Sequence, residues 1–378
     1  VSRDQNNGWE VSTPGRICLL GEHQDYLGLP VIAAAIDLRL SLRALRPDPD
    51  RFILDMPDLG TYYVLENTGQ RQAYQQERDY LRSAYNLMVD MGLSWEHGWH
   101  CQARGKIPIN AGTSSSTALV LSWVAFLLAA AGHPKCADPG FVAELAHRAE
   151  VLEFGEPGGM MDHYSCSFGN LIHVDPAHPV PRRLTPDLGA FVLGDSGQPK
   201  DTRGVLGSVK QLALDAVAQI TRVLPEFDLK TTSLHQVAPY LKTLPVRQQE
   251  VLTANLVDRD LLAQGFALLQ QETLDHAQLG HLLTQHHHQL SQKKQISTPK
   301  IDRMLEAAIA AGALGGKING SGGGGCMFAY APNHSQAVAA AIREAGGRAF
   351  VIHVCPGLLI KQCKRFSSLV WCGHVPTK

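Results

Sequence analysis

The chain has 378 residues, 44 % of them hydrophobic, enough for two to three domains with sizeable cores. Its formal net charge of −1 leaves no basic excess, which argues against nucleic acid or an anionic membrane surface as the main partner. Eight cysteines, at 18, 101, 136, 166, 326, 355, 363 and 372, form no C-x-x-C pair, unlike a disulfide framework or a zinc site and in keeping with a reducing, cytoplasmic compartment. The polar start, Val1 to Asn7, predicts no secretory signal.

Taken in chain order, Arg16 to Leu20, Val31 to Arg43, Arg51 to Leu54 and "TYYVLE" from Thr61 read as strands. Tyr80 to Met91 has helical spacing, and "HGWHCQARG" reads as a further strand. After a loop, Ile107 to Thr113, comes "TALVLSWVAFLLAAAG" from Thr117 to Gly132. That stretch is too short for a bilayer crossing, contains Ser122 and is expected to be a buried core helix. A second helix is expected from Phe141 to about Phe154, with Phe141, Leu145, Ala149 and Leu152 on one face. The Pro-rich run "VDPAHPVPRRLTPD" at residues 174–187 marks a boundary. Helices are then predicted over Gly204 to Val223, Leu234 to Thr243, Arg247 to Leu269, Leu274 to Gln292 and Pro299 to Ala311. Strands are predicted at Cys326 to Tyr330 and Phe350 to Val354, and the last residues, "KQCKRFSSLVWCGHVPTK", show no periodicity.

Four stretches carry chemistry. In "PGRICLLGEHQDYLGLPVIAAAIDLRL", Pro14 to Leu40, the turn between two apolar runs holds Glu22, His23 and Asp25 with Arg16 close by, a polar cluster where strand edges meet. In "IPINAGTSSSTALVLS", Gly112 can take backbone angles that let successive N–H groups face one concavity. Ser114, Ser115 and Ser116 stand at the start of the apolar helix, where free N–H groups and the dipole favour an anion and hydroxyls can hold a phosphate oxygen or Mg²⁺. A plain N-cap accounts for the serines equally well. No G-x-x-x-x-G-K-[ST] occurs, so this is not the standard P-loop. "GGKINGSGGGGCMFAY", Gly315 to Tyr330, places five glycines among the six residues from Gly320 to Gly325 directly before a strand. A flexible linker would not run straight into a buried strand, so close approach of main chain to a ligand is the better reading. In "AEVLEFGEPGGMMDHYSCSFGN", Glu150 lies near a helix end and Asp162 at the start of another, flanked by Met160 and Met161. Taken alone, an N-cap role is the simpler reading of Asp162. A carboxylate there can also accept a proton from a substrate hydroxyl if a cation holds it nearby. "QHHHQ", centred on His286 to His288, is read as a solvated helix face, because adjacent helical positions point in different directions and cannot share one ion.

Together these stretches resemble the GHMP kinase superfamily, the galactokinase branch most closely. The first is similar to the signature G-R-[VI]-N-L-I-G-E-H-x-D-Y-x-G, with Cys18 for Asn and Leu20 for Ile. "AEVLEFGEPGGMMDH" aligns without gaps to A-E-x-x-F-x-G-x-x-C-G-I-M-D-Q, with Glu153, Gly158 and His163 at the Phe, Cys and Gln positions. "QISTPKIDRMLEAAIAAGALGGKINGSGGGGCMFAY" follows the C-terminal pattern.

The resemblance implies an α/β (α+β) chain, a two-domain GHMP kinase fold with its active site in the interdomain cleft. Residues 1–185 would form the N-terminal domain, 186–355 the C-terminal domain, and 356–378 an unassigned tail. It implies ATP and Mg²⁺ as cofactors and a small-molecule sugar as acceptor, phosphorylated at its anomeric hydroxyl. Asp162 and Arg16 match the catalytic pair, the first orienting or deprotonating the sugar hydroxyl, the second stabilising the transferred phosphoryl. Ser115 or Ser116 and Glu150 match the Mg²⁺ ligands. Asn110, Ala111, Gly112, Thr113, Ser114, Ser115 and Ser116, with Gly322 and Gly323, match the ATP-binding loops. Arg16, Glu22, His23, Asp25, Gly159 and Asp162 match the sugar-binding positions.

Departures are equally concrete. Asn110, Thr113 and Thr117 replace Gly, Leu and Ala in the phosphate loop, and Asn tolerates the positive φ that Gly would supply. "GDSGQPKDTRGVLGSVKQ" holds no tyrosine where galactokinases carry a sugar-contacting one. A related sugar or sugar acid therefore stands beside galactose as substrate, with Lys200 or Arg203 as partner for a carboxylate. Two other readings stay open: a regulator that binds ATP and sugar without turnover, and a mevalonate-type kinase. The latter branch carries Lys at the Arg16 position and lacks the Asp25–Tyr26 pair.

Overall fold

The computed structural model describes residues 7–178, 180–199 and 202–364. Lys200, the side chain of Arg203 and the last residues of the tail lie outside them, so the carboxylate-pairing expectation does too. The architecture is mixed α/β, built on two sheets. In the larger, β1 (Asn7–Leu20) runs antiparallel between β2 (Val31–Asp48) and β12 (Leu359–Lys364). The sheet continues through β5 (Gly98–Gly105), β3 (Arg51–Met56) and β4 (Thr61–Glu66), and β6 (Leu171–Val174) and β7 (Arg182–Leu184) extend it from the other half of β2. Only the β3–β5 contact is parallel among its described pairings. The smaller sheet has the order β11 (Arg348–Ile352), β8 (Phe191–Asp195), β10 (Cys326–Tyr330), β9 (Gly315–Asn319), antiparallel throughout.

α1 (Tyr80–Asp90) packs on α2 (Ser115–Ala130) and reaches the large sheet through Tyr85 against Phe52; α3 (Pro139–His147) packs on α2 and on α4 (Met161–Phe168), and α2 and α4 lie directly against that sheet. The sequence around α2 is apolar on every side, and burial explains it: Leu121, Trp123, Val124, Phe126 and Leu127 are all fully enclosed. Among the described residues no helix is long and apolar enough to cross a membrane, and the seven described cysteines are free thiols.

The remaining helices are α5 (Thr202–Val223), α6 (Leu234–Val237), α7 (Val246–Leu268), α8 (His276–His288), α9 (Pro299–Ala310) and α10 (Ser335–Glu344). Three of the six, α8, α9 and α10, pack on the small sheet, and α9 and α10 also pack on each other. The solvated face expected for His286 to His288 is corrected. His286 is fully buried, 3.7 Å from the carboxylate of Asp258, while His287 accepts the Ile318 N–H and only His288 is exposed. The three histidines do diverge, as adjacent helical positions must.

Candidate active site

β1 delivers the first functional group through an irregularity. Its register with β2 shifts between Pro14 and Gly15, where a proline and a glycine interrupt the apolar pattern. A Cβ on Gly15 would lie 2.8 Å from the Thr113 carbonyl, so glycine is what lets the strand touch the serine-rich loop. Arg16 follows and donates its backbone N–H to that same carbonyl at 3.3 Å. Its guanidinium is 4 % exposed; Nε donates to Asp162 Oδ1 at 2.7 Å and Nη1 donates to the Gly112 carbonyl.

Asp162 sits in the first turn of α4, with 30 % of its side chain exposed to the cleft. Burial alone would raise its pKa, but Arg16 beside it and the Ser114 hydroxyl outweigh that, and the carboxyl is held below its ordinary range. It is therefore an ionised carboxylate at neutral pH.

The two glycine loops meet main chain to main chain. A Cβ on Gly112 (φ +83) would lie 2.5 Å from the Asn319 carbonyl, and one on Gly320 (φ +86) would lie 2.8 Å from the Gly112 Cα. Asn319 locks the contact: its Oδ1 accepts the Cys18 N–H at 2.9 Å and its Nδ2 donates to the Gly112 carbonyl at 2.8 Å. Asn110 does adopt positive φ, +55, and Ser114 takes +62 at the mouth of α2. Past α3, residues Arg148–Leu152 form a π-helical turn, a feature that re-aims side chains at functional sites. Here it carries Glu150, whose Oε1 accepts from Ser116 Oγ at 2.7 Å and whose Oε2 faces His163 Nε2 at 3.0 Å.

A second group of polar side chains is built on the turn after β1. Asp25 accepts the N–H groups of Tyr26 and Met161. Burial, with Asp162 and Glu22 adding negative charge nearby, pushes its pKa up to about 6. Glu22 is nearly enclosed, and its Oε2 accepts from Lys317 Nζ at 2.7 Å. His23 (φ +63) has Nδ1 3.0 Å from Tyr26 Oη and Nε2 3.1 Å from the Ser321 carbonyl. Burial, reinforced by the cations Lys294 and Lys317, drives its pKa down to about 3.

These groups enclose one cleft of about 320 Å³. Of the expected site residues, Arg16, Glu22, His23, Asp25, Asn110, Gly112, Ser114, Ser115, Ser116, Glu150, Gly159 and Asp162 line it. Ala111 and Thr113 instead hold the loop from within, through the Cys326 and Arg16 N–H groups. Gly322 and Gly323 pack on Ile296, and Gly320 and Ser321 take the cleft-facing place. Sequence reasoning missed Lys317 and Asn319, and also the ion pair Arg78–Glu156 (2.7 Å), which lines the same cleft. A lysine inside a strand that leads into a glycine loop was the available signal for Lys317; Arg78 and Glu156 are too far apart in sequence to suggest each other.

Hard oxygen ligands suit Mg²⁺, and the Ser116 hydroxyl and Glu150 carboxylate, already within 2.7 Å of each other, fit that ion. Among the described residues no group of three or more His, Cys, Asp or Glu side chains is arranged to hold a metal. Substrate phosphates and water would complete its shell, the usual arrangement for this cation.

Three family models match the chain: the galactokinase galactose-binding signature over residues 3–43, the GHMP kinase N-terminal domain over 79–170 and the GHMP kinase C-terminal domain over 266–348. A mevalonate kinase from Pyrococcus horikoshii is 27 % identical over 94 % of this chain and 98 % of its own length. A galactokinase from Roseiflexus is 29 % identical over 91 % and 90 %. Among solved structures, Lactococcus lactis galactokinase complexed with galactose superposes with a TM-score of 0.78 at 21 % identity, covering 94 % of this chain and 96 % of that one. Methanococcus jannaschii mevalonate kinase follows at 0.71 and 18 %, covering 92 % and 98 %. Both domain models and the signature fall in order along one chain that shares this architecture nearly end to end, and the chain belongs to the GHMP kinases, phosphotransferases that act on ATP and a small molecule.

Proposed function

We propose that the protein transfers the terminal phosphoryl of ATP to a hydroxyl, the anomeric one, of galactose or a related monosaccharide. The observation that carries this reading is the 2.7 Å ion pair between Arg16 and Asp162, set in one cleft with the serine-lined start of α2. Asp162, ionised and partly exposed, accepts a hydrogen bond from the sugar hydroxyl, aims its oxygen and takes up its proton as the bond to phosphorus forms and the bond to ADP breaks. A carboxylate of lowered pKa is a weak base, and a loose phosphoryl transition state asks more for alignment than for early proton removal. Arg16, fixed by the Gly112 carbonyl, presents its charge to the oxygens of the group in transit.

The backbone of Asn110 to Ser114 and the hydroxyls at the mouth of α2 receive the phosphates. Ser115 or Ser116 and Glu150 would hold Mg²⁺, which supplies charge neutralisation between the phosphates. Carboxylates at the acceptor end, Asp25 and Glu22 beside Asp162, favour a polyol over a second anion and support the sugar reading.

The mevalonate kinases among the relatives make a competing acceptor explicit. Purified protein with Mg-ATP is assayed for ADP release on D-galactose, D-glucose, L-arabinose, D-galacturonate, D-glucuronate and mevalonate. Turnover of a monosaccharide with none on mevalonate is expected. Turnover of mevalonate alone would transfer the chain to the other acceptor class, and ADP from no acceptor would leave a non-catalytic binding protein.

A further inference from the structure

We propose that Tyr26 is a specificity-determining residue whose phenol oxygen meets the acceptor solely as a hydrogen-bond acceptor, selecting a molecule that offers a hydroxyl there over one that offers a carboxylate. Three groups in a row, the Ser321 carbonyl, His23 and Tyr26, fix where each proton sits. The Ser321 carbonyl can only accept, and it lies 3.1 Å from His23 Nε2, so Nε2 carries the hydrogen. A neutral imidazole has one N–H, which leaves Nδ1 as a bare acceptor. Tyr26 Oη lies 3.0 Å from Nδ1 and must donate its only proton to it. What remains are the lone pairs of the phenol oxygen, on a side chain that lines the cleft.

The tautomer decides the selectivity. In an imidazolium both nitrogens would donate, and the phenol proton would be free for a carboxylate. The surroundings hold the ring neutral: it is buried, Lys294 and Lys317 place positive charge near it, and the Asp25 side chain on its own turn is directed at Gly159. Lys210 does not restore a carboxylate site, since its ammonium lies 5.5 Å from the Tyr26 ring centroid and donates to the Pro157 carbonyl. His23, with both nitrogens engaged inside the protein, acts through Tyr26 as a positioning residue.

This assignment rests on the kinase reading only for the identity of the molecule selected. The full chain labelled with ¹⁵N-histidine is examined by long-range ¹H–¹⁵N correlation from pH 6 to 9, with His23→Gln assigning the resonance. His23 is expected as the Nε2–H tautomer throughout; an Nδ1–H ring or an imidazolium overturns the proposal. Tyr26→Phe is then assayed on D-galactose, D-glucose, L-arabinose and D-galacturonate. For the neutral sugar with the fastest ADP release, KM is expected to rise about tenfold, the loss of one hydrogen bond, while kcat and the KM for ATP stay within about twofold. The preference for that sugar over D-galacturonate should shrink by a similar factor. An unchanged acceptor KM overturns the proposal. ADP from none of these acceptors would count against the kinase reading instead, and the nitrogen shifts would still decide the tautomer on which Tyr26 depends.

Discussion

Lys317 Nζ donates to Glu22 Oε2 at 2.7 Å and to the Cys18 carbonyl at 2.8 Å, with both charged side chains enclosed. A cation from β9 of the small sheet thus fastens the turn that follows β1 of the large one. Burying two charges is worthwhile only if neither is left alone. Lys317→Met is expected to destabilise the fold by about 3–5 kcal/mol, because buried Glu22 would lose the partner its carboxylate is paired with. The double variant Lys317→Met with Glu22→Gln should recover part of that loss. Urea denaturation followed by circular dichroism measures both, and a double variant no more stable than the single one would contradict the account.

Asp162→Asn keeps the shape of the side chain and its contact to Arg16 while removing its charge. Turnover is expected to drop about 10²–10⁴-fold, the range for a positioned acid–base group. The KM for ATP should stay within a few-fold, since no phosphate-facing group changes. Initial rates under saturating acceptor separate the two effects.

Ser116 and Glu150 meet at 2.7 Å on separate helical segments, one at the mouth of α2, the other on the π-helical turn after α3. Removing the hydroxyl in Ser116→Ala should raise the Mg²⁺ concentration needed for half-maximal rate and leave the acceptor KM unchanged. Mg²⁺ titrations read by ADP release and by the heat of Mg-ATP binding check this. An unaltered requirement would assign the ion to Ser115 or Ser114 instead.

Much of the site was legible because its chemistry sits in local motifs. Arg16, the serine cluster and Asp162 each stand beside a glycine or at a helix start, and Glu150 just past a helix end, where the sequence breaks its own periodicity. Partners contributed from afar were not legible. Nothing near Glu22 in sequence announces Lys317, 295 positions away, and Asn319 joins Cys18 to Gly112 only because the fold brings three segments together. His286 was misread for a different reason. Leu279, Leu282, Leu283 and Leu290 share its face at three-, four- and seven-residue steps, so the apolar stripe itself places His286 inside; three adjacent histidines drew the reading toward solvent. The short strands β6 and β7 lack the length for an alternating pattern, and β8, buried along its whole run, shows no alternation at all.

Asp25 makes the site sensitive to pH, and the sign follows from its surroundings. A Cβ on Gly159 would lie 2.3 Å from Asp25 Oδ2, so the carboxyl is closely walled, and Asp162 and Glu22 repel its charge. With its pKa up from 3.8 to about 6, the folded protein holds a proton there between those two values that the unfolded chain has released. The favourable contribution to stability is therefore complete below about pH 4, declines as pH rises toward 6 and is gone above it. Asp25→Asn removes the repelled charge and should raise the thermal midpoint relative to the parent at pH 8, with no gain at pH 4. Function runs the other way, because the ionised form is the better acceptor for a substrate hydroxyl. The acceptor KM of the parent should climb as pH falls below about 6, and in Asp25→Asn it should be higher throughout and flat across that window. Thermal melts and acceptor titrations at pH 5 to 8 test both halves, and a parent KM that does not change across pH 6 would show that Asp25 does not contact the acceptor.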